Sequence, residues 1–104
     1  MNILLILGHP RSNSLCAALA AAYRTAALSR TMELRQLNLC ELHFDPHVRT
    51  ADFTQQDCEP DLLAARENLL WAQHIVLVYP LWWGSMPALL KGFLDRLLAP
   101  NFAL

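Results

Sequence analysis

The chain has 104 residues, 55% of them hydrophobic and 16% charged, with Lys+Arg 8 against Asp+Glu 9. A chain of that size forms one domain at most, and so even a charge balance leaves no field strong enough to recruit nucleic acid or an anionic membrane. The expected partner is small or apolar.

The opening "MNILLILGHP" lacks the basic segment of a signal peptide, and no apolar run approaches the roughly 18 residues of a membrane span. Within it, Asn2 to Leu7 is a short apolar run closed by Gly8, the pattern of a strand buried on both faces. A helix follows "GHPRSNS", with Leu15, Ala18, Leu19, Ala22 and Ala26 spaced as one apolar stripe, and Ser12, Asn13 or Ser14 available to cap it. Thr31 to Leu37 alternates Met32 and Leu34 inward with Glu33 and Arg35 outward, as a strand near a sheet edge does. Leu42 to Pro60 mixes histidines, prolines and acids and reads as a long connection, a length often put to functional use. Asp61 opens a helix carrying Leu62, Ala65, Leu69 and Ala72, and "HIVLVY" predicts a third strand, apolar from Ile75 to Val78. Pro87 suits the first turn of a last helix, whose Leu89, Leu90, Phe93, Leu94, Leu97 and Leu98 make a wide apolar face; Lys91 and Asp95 pair on its wet side. Cys16, Cys40 and Cys58 lie far apart and outside any C-x-x-C spacing, which argues against a disulfide framework or zinc site and for a reducing compartment. They read as small buried or half-buried hydrophobes, in a soluble, cytoplasmic chain.

Alternating strands and helices predict the α/β class, a doubly wound parallel sheet. In the strand order 2-1-3 the loops after the first and third strands, "GHPRSNS" and "PLWWGSMP", meet at the switch point where ligands bind. The first offers a helix start suited to a phosphate, and the second a flat aromatic surface. A flavin nucleotide fits both. Each part also has a plainer reading: "SNS" as a simple cap, and Trp82 and Trp83 as residues packed under the long connection or on a dimer surface. Tyr79 and Trp71 read as core. The G-x-G-x-x-G fingerprint and the G-x-x-x-x-G-K-[ST] phosphate loop are both absent, which removes the ordinary NAD-binding Rossmann and NTPase readings.

The stretches "GHPRSNSLCAAL" and "YPLWWGSMPALLKGFLDRLLAPNFA" resemble the NAD(P)H:quinone oxidoreductase family of flavodoxin-like flavoproteins, the group that includes DT-diaphorase and its bacterial relatives. The second stretch is the more specific, running through both flanking elements. The resemblance implies FAD as cofactor, with FMN the alternative, NAD(P)H as hydride donor and a quinone-like acceptor. Matched position by position, His9, Ser14, Leu15 and Cys16 fall on residues that hold the flavin's phosphate or pyrophosphate, largely through helix-start N–H groups. Pro80, Leu81, Trp82, Trp83 and Gly84 fall on the loop along the isoalloxazine ring. The mammalian form has Phe, Asn and Gln at the positions of Leu15, Cys16 and Trp82, and a thiol is a poorer donor than an amide. Family members continue into a second half that carries two more strands and the Tyr and His used beside the flavin. Residues 1–104 therefore read as the N-terminal part of such a domain, with no catalytic residue and no metal ligand assigned. The apolar third strand and last helix imply a homodimer or other self-association. A flavodoxin-like electron carrier and a truncated non-catalytic chain are the alternatives, the former tending to be more acidic than the net charge of −1 found here.

Overall fold

The computed structural model describes residues 1–52 and 55–98. In chain order these form β1 (Asn2–Leu7), α1 (Leu15–Leu28), β2 (Glu33–Asn38), a 3-10 turn at Leu39–Glu41, α2 (Pro60–Trp71), β3 (His74–Val78) and α3 (Ala88–Leu97). The strands are parallel in the order β2-β1-β3, with Leu5 opposite Gln36 on one side and Val76 on the other. This is the α/β class and strand order expected from the sequence. β1 is central, and Ile3 to Leu7 are all buried. Its side chains alternate between two layers: Leu4 and Ile6 join Leu62, Leu90 and Phe93 of α2 and α3, while Leu5 and Leu7 meet Cys16 and Ala20 of α1.

The expected stripe on α1 is not the face that packs. Cys16, Ala20 and Ala27 are buried, whereas Leu15 is 76% and Leu19 55% exposed. Small residues let the helix lie close against Leu5 and Leu7, and an alanine-rich helix has too little contrast around its circumference to mark its inner face. Boundaries also shift. β2 begins at Glu33, not Thr31, because Thr31 takes a φ of 59° in the preceding turn. α2 begins at Pro60, not Asp61, and Pro87 stands just before α3 rather than within its first turn.

The long connection after β2 is part of the core. Leu42, Phe44 and Cys58 pack against it, and Phe44 meets Phe93 edge to face at 5.7 Å. Leu90, Phe93 and Leu97 are buried beneath these contacts, while Leu89 and Leu94 are half-buried and Leu98 is 42% exposed, so the wide face of α3 is covered only in part. A Cβ at Gly92 would lie 2.5 Å from Pro46 Cβ and 2.7 Å from its carbonyl oxygen. Only glycine lets the connection cross α3 so closely. The buried Arg96 guanidinium fastens the crossing: it donates to the carbonyls of Asp45 and Asp57, and Nη2 reaches Glu59 Oε1 at 2.7 Å. On the wet side Lys91 and Asp95 pair at 2.6 Å, as their spacing predicts.

Candidate functional site

At the C-terminal ends of β1 and β3 the two loops come together. Gly8 donates its N–H to the Val78 carbonyl at 2.8 Å, and a Cβ there would lie 2.9 Å from Leu90 Cδ2. Past Gly8 the His9 side chain is only 5% exposed. The Arg11 N–H donates to His9 Nδ1 at 3.0 Å, so in the neutral ring the proton sits on Nε2. From the other loop, Trp82 meets it in a T-shaped arrangement, its ring centroid 5.5 Å from that of His9 at an interplanar angle of 79°.

Ser14 is the N-cap of α1, and its Oγ accepts from the Ala17 N–H at 3.1 Å. Of the other early amides, Ala18 is taken by the Ser14 carbonyl, while those of Leu15 and Cys16 have no partner among the described residues. No acidic residue occupies the first turn. Two free N–H groups at the positive end of a helix favour an anion. The side chains of these two residues do not contribute in the same way: Leu15 stands out in solvent, and the Cys16 thiol is buried against Leu5 and Leu7. Only their backbone amides are open to an anion.

Trp82 and Ser85 exchange backbone hydrogen bonds of 2.8 and 3.0 Å across a two-residue turn. Its central residues are Trp83 at φ 52° and Gly84 at φ 74°, both left-handed, as a type I′ turn requires. Glycine adopts this freely, but a tryptophan there is strained by roughly 1 kcal/mol or more. Its ring is fully exposed, and Leu81 beside it is exposed as well, while Pro80 is half-buried. Trp83 therefore is not packed under the long connection. Trp71 is half-buried instead, beneath the Arg35 guanidinium at 4.0 Å.

A cleft of about 430 Å³ adjoins the helix start, lined by Pro10, Arg11, Ser12, Asn13, Cys40 and Glu41. The last two were not anticipated, although parallel pairing that ends with Leu7 opposite Asn38 necessarily sets the loop after β2 beside the loop after β1. Among the described residues, no group of three or more His, Cys, Asp or Glu can hold a metal ion, and no helix is long and apolar enough to cross a membrane. The end of the stretch that carries the resemblance, from residue 99 onward, lies outside the described residues.

Comparison with known proteins places the chain by its fold. A family described as having a flavodoxin-like fold matches residues 1–104. The uncharacterised NAD(P)H oxidoreductase YcaK of Escherichia coli is 35% identical over 99 residues, 90% of this chain and 50% of its own length. A candidate quinone reductase from Klebsiella pneumoniae superposes with a TM-score of 0.85 at 30% identity, covering 99% of this chain and 47% of that one. The apo form of an NADH:FMN oxidoreductase gives 0.75 at 30% identity, covering 99% and 52%. The chain thus spans about half the length of the relatives it matches.

Proposed function

We propose that this chain, which belongs to the flavodoxin-like fold family, is the flavin-cradling part of an NAD(P)H-dependent oxidoreductase with a quinone-like acceptor. The observation that carries the reading is Trp83. A bulky aromatic held in a left-handed turn and left wholly in solvent is covered by none of the described residues. It stands in the loop that meets His9 and the phosphate-suited start of α1, and strain of this kind clusters at ligand sites. The residues fit a flavin nucleotide: the Leu15 and Cys16 amides, with Ser14 and His9, would hold its phosphate, and Pro80 to Gly84 would border its ring.

When bound, the flavin supplies the redox chemistry, accepting a hydride from NAD(P)H and passing two electrons to the acceptor. The chain's own part is to bind, orient and shield. FAD is the form proposed, because the cleft between Arg11 and Glu41 leaves the second half of a dinucleotide somewhere to lie beside the helix start; FMN is the alternative. A purified sample that carries flavin, bleaches on NAD(P)H addition and recovers with a quinone supports the function, and mass measurement of the released chromophore decides between FAD and FMN. A folded, colourless chain that takes up neither flavin overturns it.

Two substitutions separate ligand contact from packing. Trp83→Gly removes the ring and relieves the left-handed strain, so stability in urea is expected to stay within about 1 kcal/mol. Flavin affinity should fall by about 1–3 kcal/mol, the scale of stacking on a planar ring. Unchanged affinity would assign the ring another role. Ser14→Ala costs about 1 kcal/mol of stability through loss of the cap. Its affinity for FMN should fall while that for riboflavin, which lacks the phosphate, holds. Equal losses for both would remove Ser14 from the phosphate site.

A further inference from the structure

Trp82 and Trp83 are neighbours in sequence with opposite environments. Trp83 is wholly in solvent, while Trp82 is 44% exposed and packs perpendicular to the His9 ring. Backbone bonds in both directions to Ser85 fix the position of Trp82, and the ring it meets is fixed at Nδ1 by the Arg11 amide. With Nδ1 occupied as an acceptor, Nε2–H is the one donor the neutral imidazole has left. Rotation of that ring would exchange the two nitrogens, or break the Arg11 bond and swing the donor away. The indole, perpendicular to the imidazole at 5.5 Å, stands against such rotation.

We infer that Trp82 is a positioning residue for His9: it locks the imidazole so that Nε2–H faces the phosphate-bearing end of the ligand, and leaves stacking on the ring system to Trp83. This rests on the flavin reading above. The contact also joins the loop after β1 to the loop after β3, so the two ends of the ligand site are held in one fixed relation through a pair of side chains.

The test compares Trp82→Gln, Trp82→Phe, His9→Ala and the His9→Ala/Trp82→Gln double variant of the 104-residue chain, with riboflavin and FMN as ligands in equilibrium dialysis. Trp82→Gln should weaken FMN binding by roughly 2–12-fold, the range an aromatic edge contact spans, with riboflavin changed less than twofold. In the His9→Ala background the same substitution should cost nothing further, and Trp82→Phe should recover most of the loss. A second readout needs no ligand: the His9 ring-proton resonances, identified by their absence in His9→Ala, should shift in Trp82→Gln as the indole ring current is lost, and return in Trp82→Phe. Equal losses for riboflavin and FMN, additive with His9→Ala, would overturn the inference and place Trp82 on the flavin ring. Unmoved His9 resonances would overturn it as well. Wild-type chain that binds neither flavin defeats the functional reading instead, and the resonances still decide whether Trp82 locks His9.

Discussion

Arg96→Met is expected to destabilise the chain by about 3 kcal/mol or more in urea denaturation, through unpaired buried polar groups. A domain of this size holds roughly 5–15 kcal/mol in total, so a loss of this size takes away a large share of it. The guanidinium is 6% exposed and answers three groups at once: the carbonyls of Asp45 and Asp57 and the carboxylate of Glu59. Methionine fills similar volume but satisfies none of them. The effect should depend on pH. Burial pushes the Glu59 carboxyl up, but hydrogen bonds from Arg96 and from the Asp45 and Glu59 amides, with the Arg96 charge, outweigh it and leave the group below its ordinary 4.5. A carboxyl held lower in the folded than in the unfolded chain stabilises fully above its unfolded value, and that contribution fades as pH falls through the folded one. The gap between wild type and Arg96→Met should therefore be full above about pH 4.5 and narrow below it. A gap that stays constant down to pH 3 would mean the Glu59 carboxylate has no share in the fastening.

This network was not legible in the sequence, and the reason is general. Arg96 sits in "LDRLL", where helical spacing marks the leucines as inward but says nothing of a charge that finds partners 37 to 51 residues away. The connection from Leu42 to Pro60 reads as polar, yet its few apolar members, Leu42, Phe44 and Cys58, are the ones that close the core. β1 was legible because a strand covered on both sides is apolar along its buried length, and Ile3 to Leu7 are. The inner face of α1 was not, since Cys16, Ala20 and Ala27 are inward for their smallness while the leucines stand outside. At the site, the meeting of the two loops follows from strand order alone. The left-handed turn does not: Gly84 is its usual signal, but nothing in a tryptophan announces a φ of 52°. Trp83 breaks the local preference, as residues at functional sites often do.

The second large effect concerns association. β3 pairs only with β1 among the described residues, so the backbone groups along its other side face outward. Its side chains do nothing to discourage a partner. Ile75 and Leu77 lie on the same face as Leu4 and Ile6, yet are 44% and 39% exposed, and Val76 and Val78 on the opposite face are only half-buried. Edge strands normally carry a lysine, proline or inward charge, and "IVLV" has none of these. Leu15 and Leu19 add apolar surface on the outer side of α1. The 104-residue chain should therefore sediment as dimers or larger species, with the sedimentation coefficient rising over a hundredfold range of concentration. Leu77→Lys places a charge on the edge strand at a partly exposed position beside Ile6, and should return the chain to a monomer with its circular dichroism spectrum unchanged. A wild-type chain that stays monomeric across that range would show that the edge of β3 is protected. Association that persists unchanged in Leu77→Lys would place the interface elsewhere, with the outer leucines of α1 the next surface to charge.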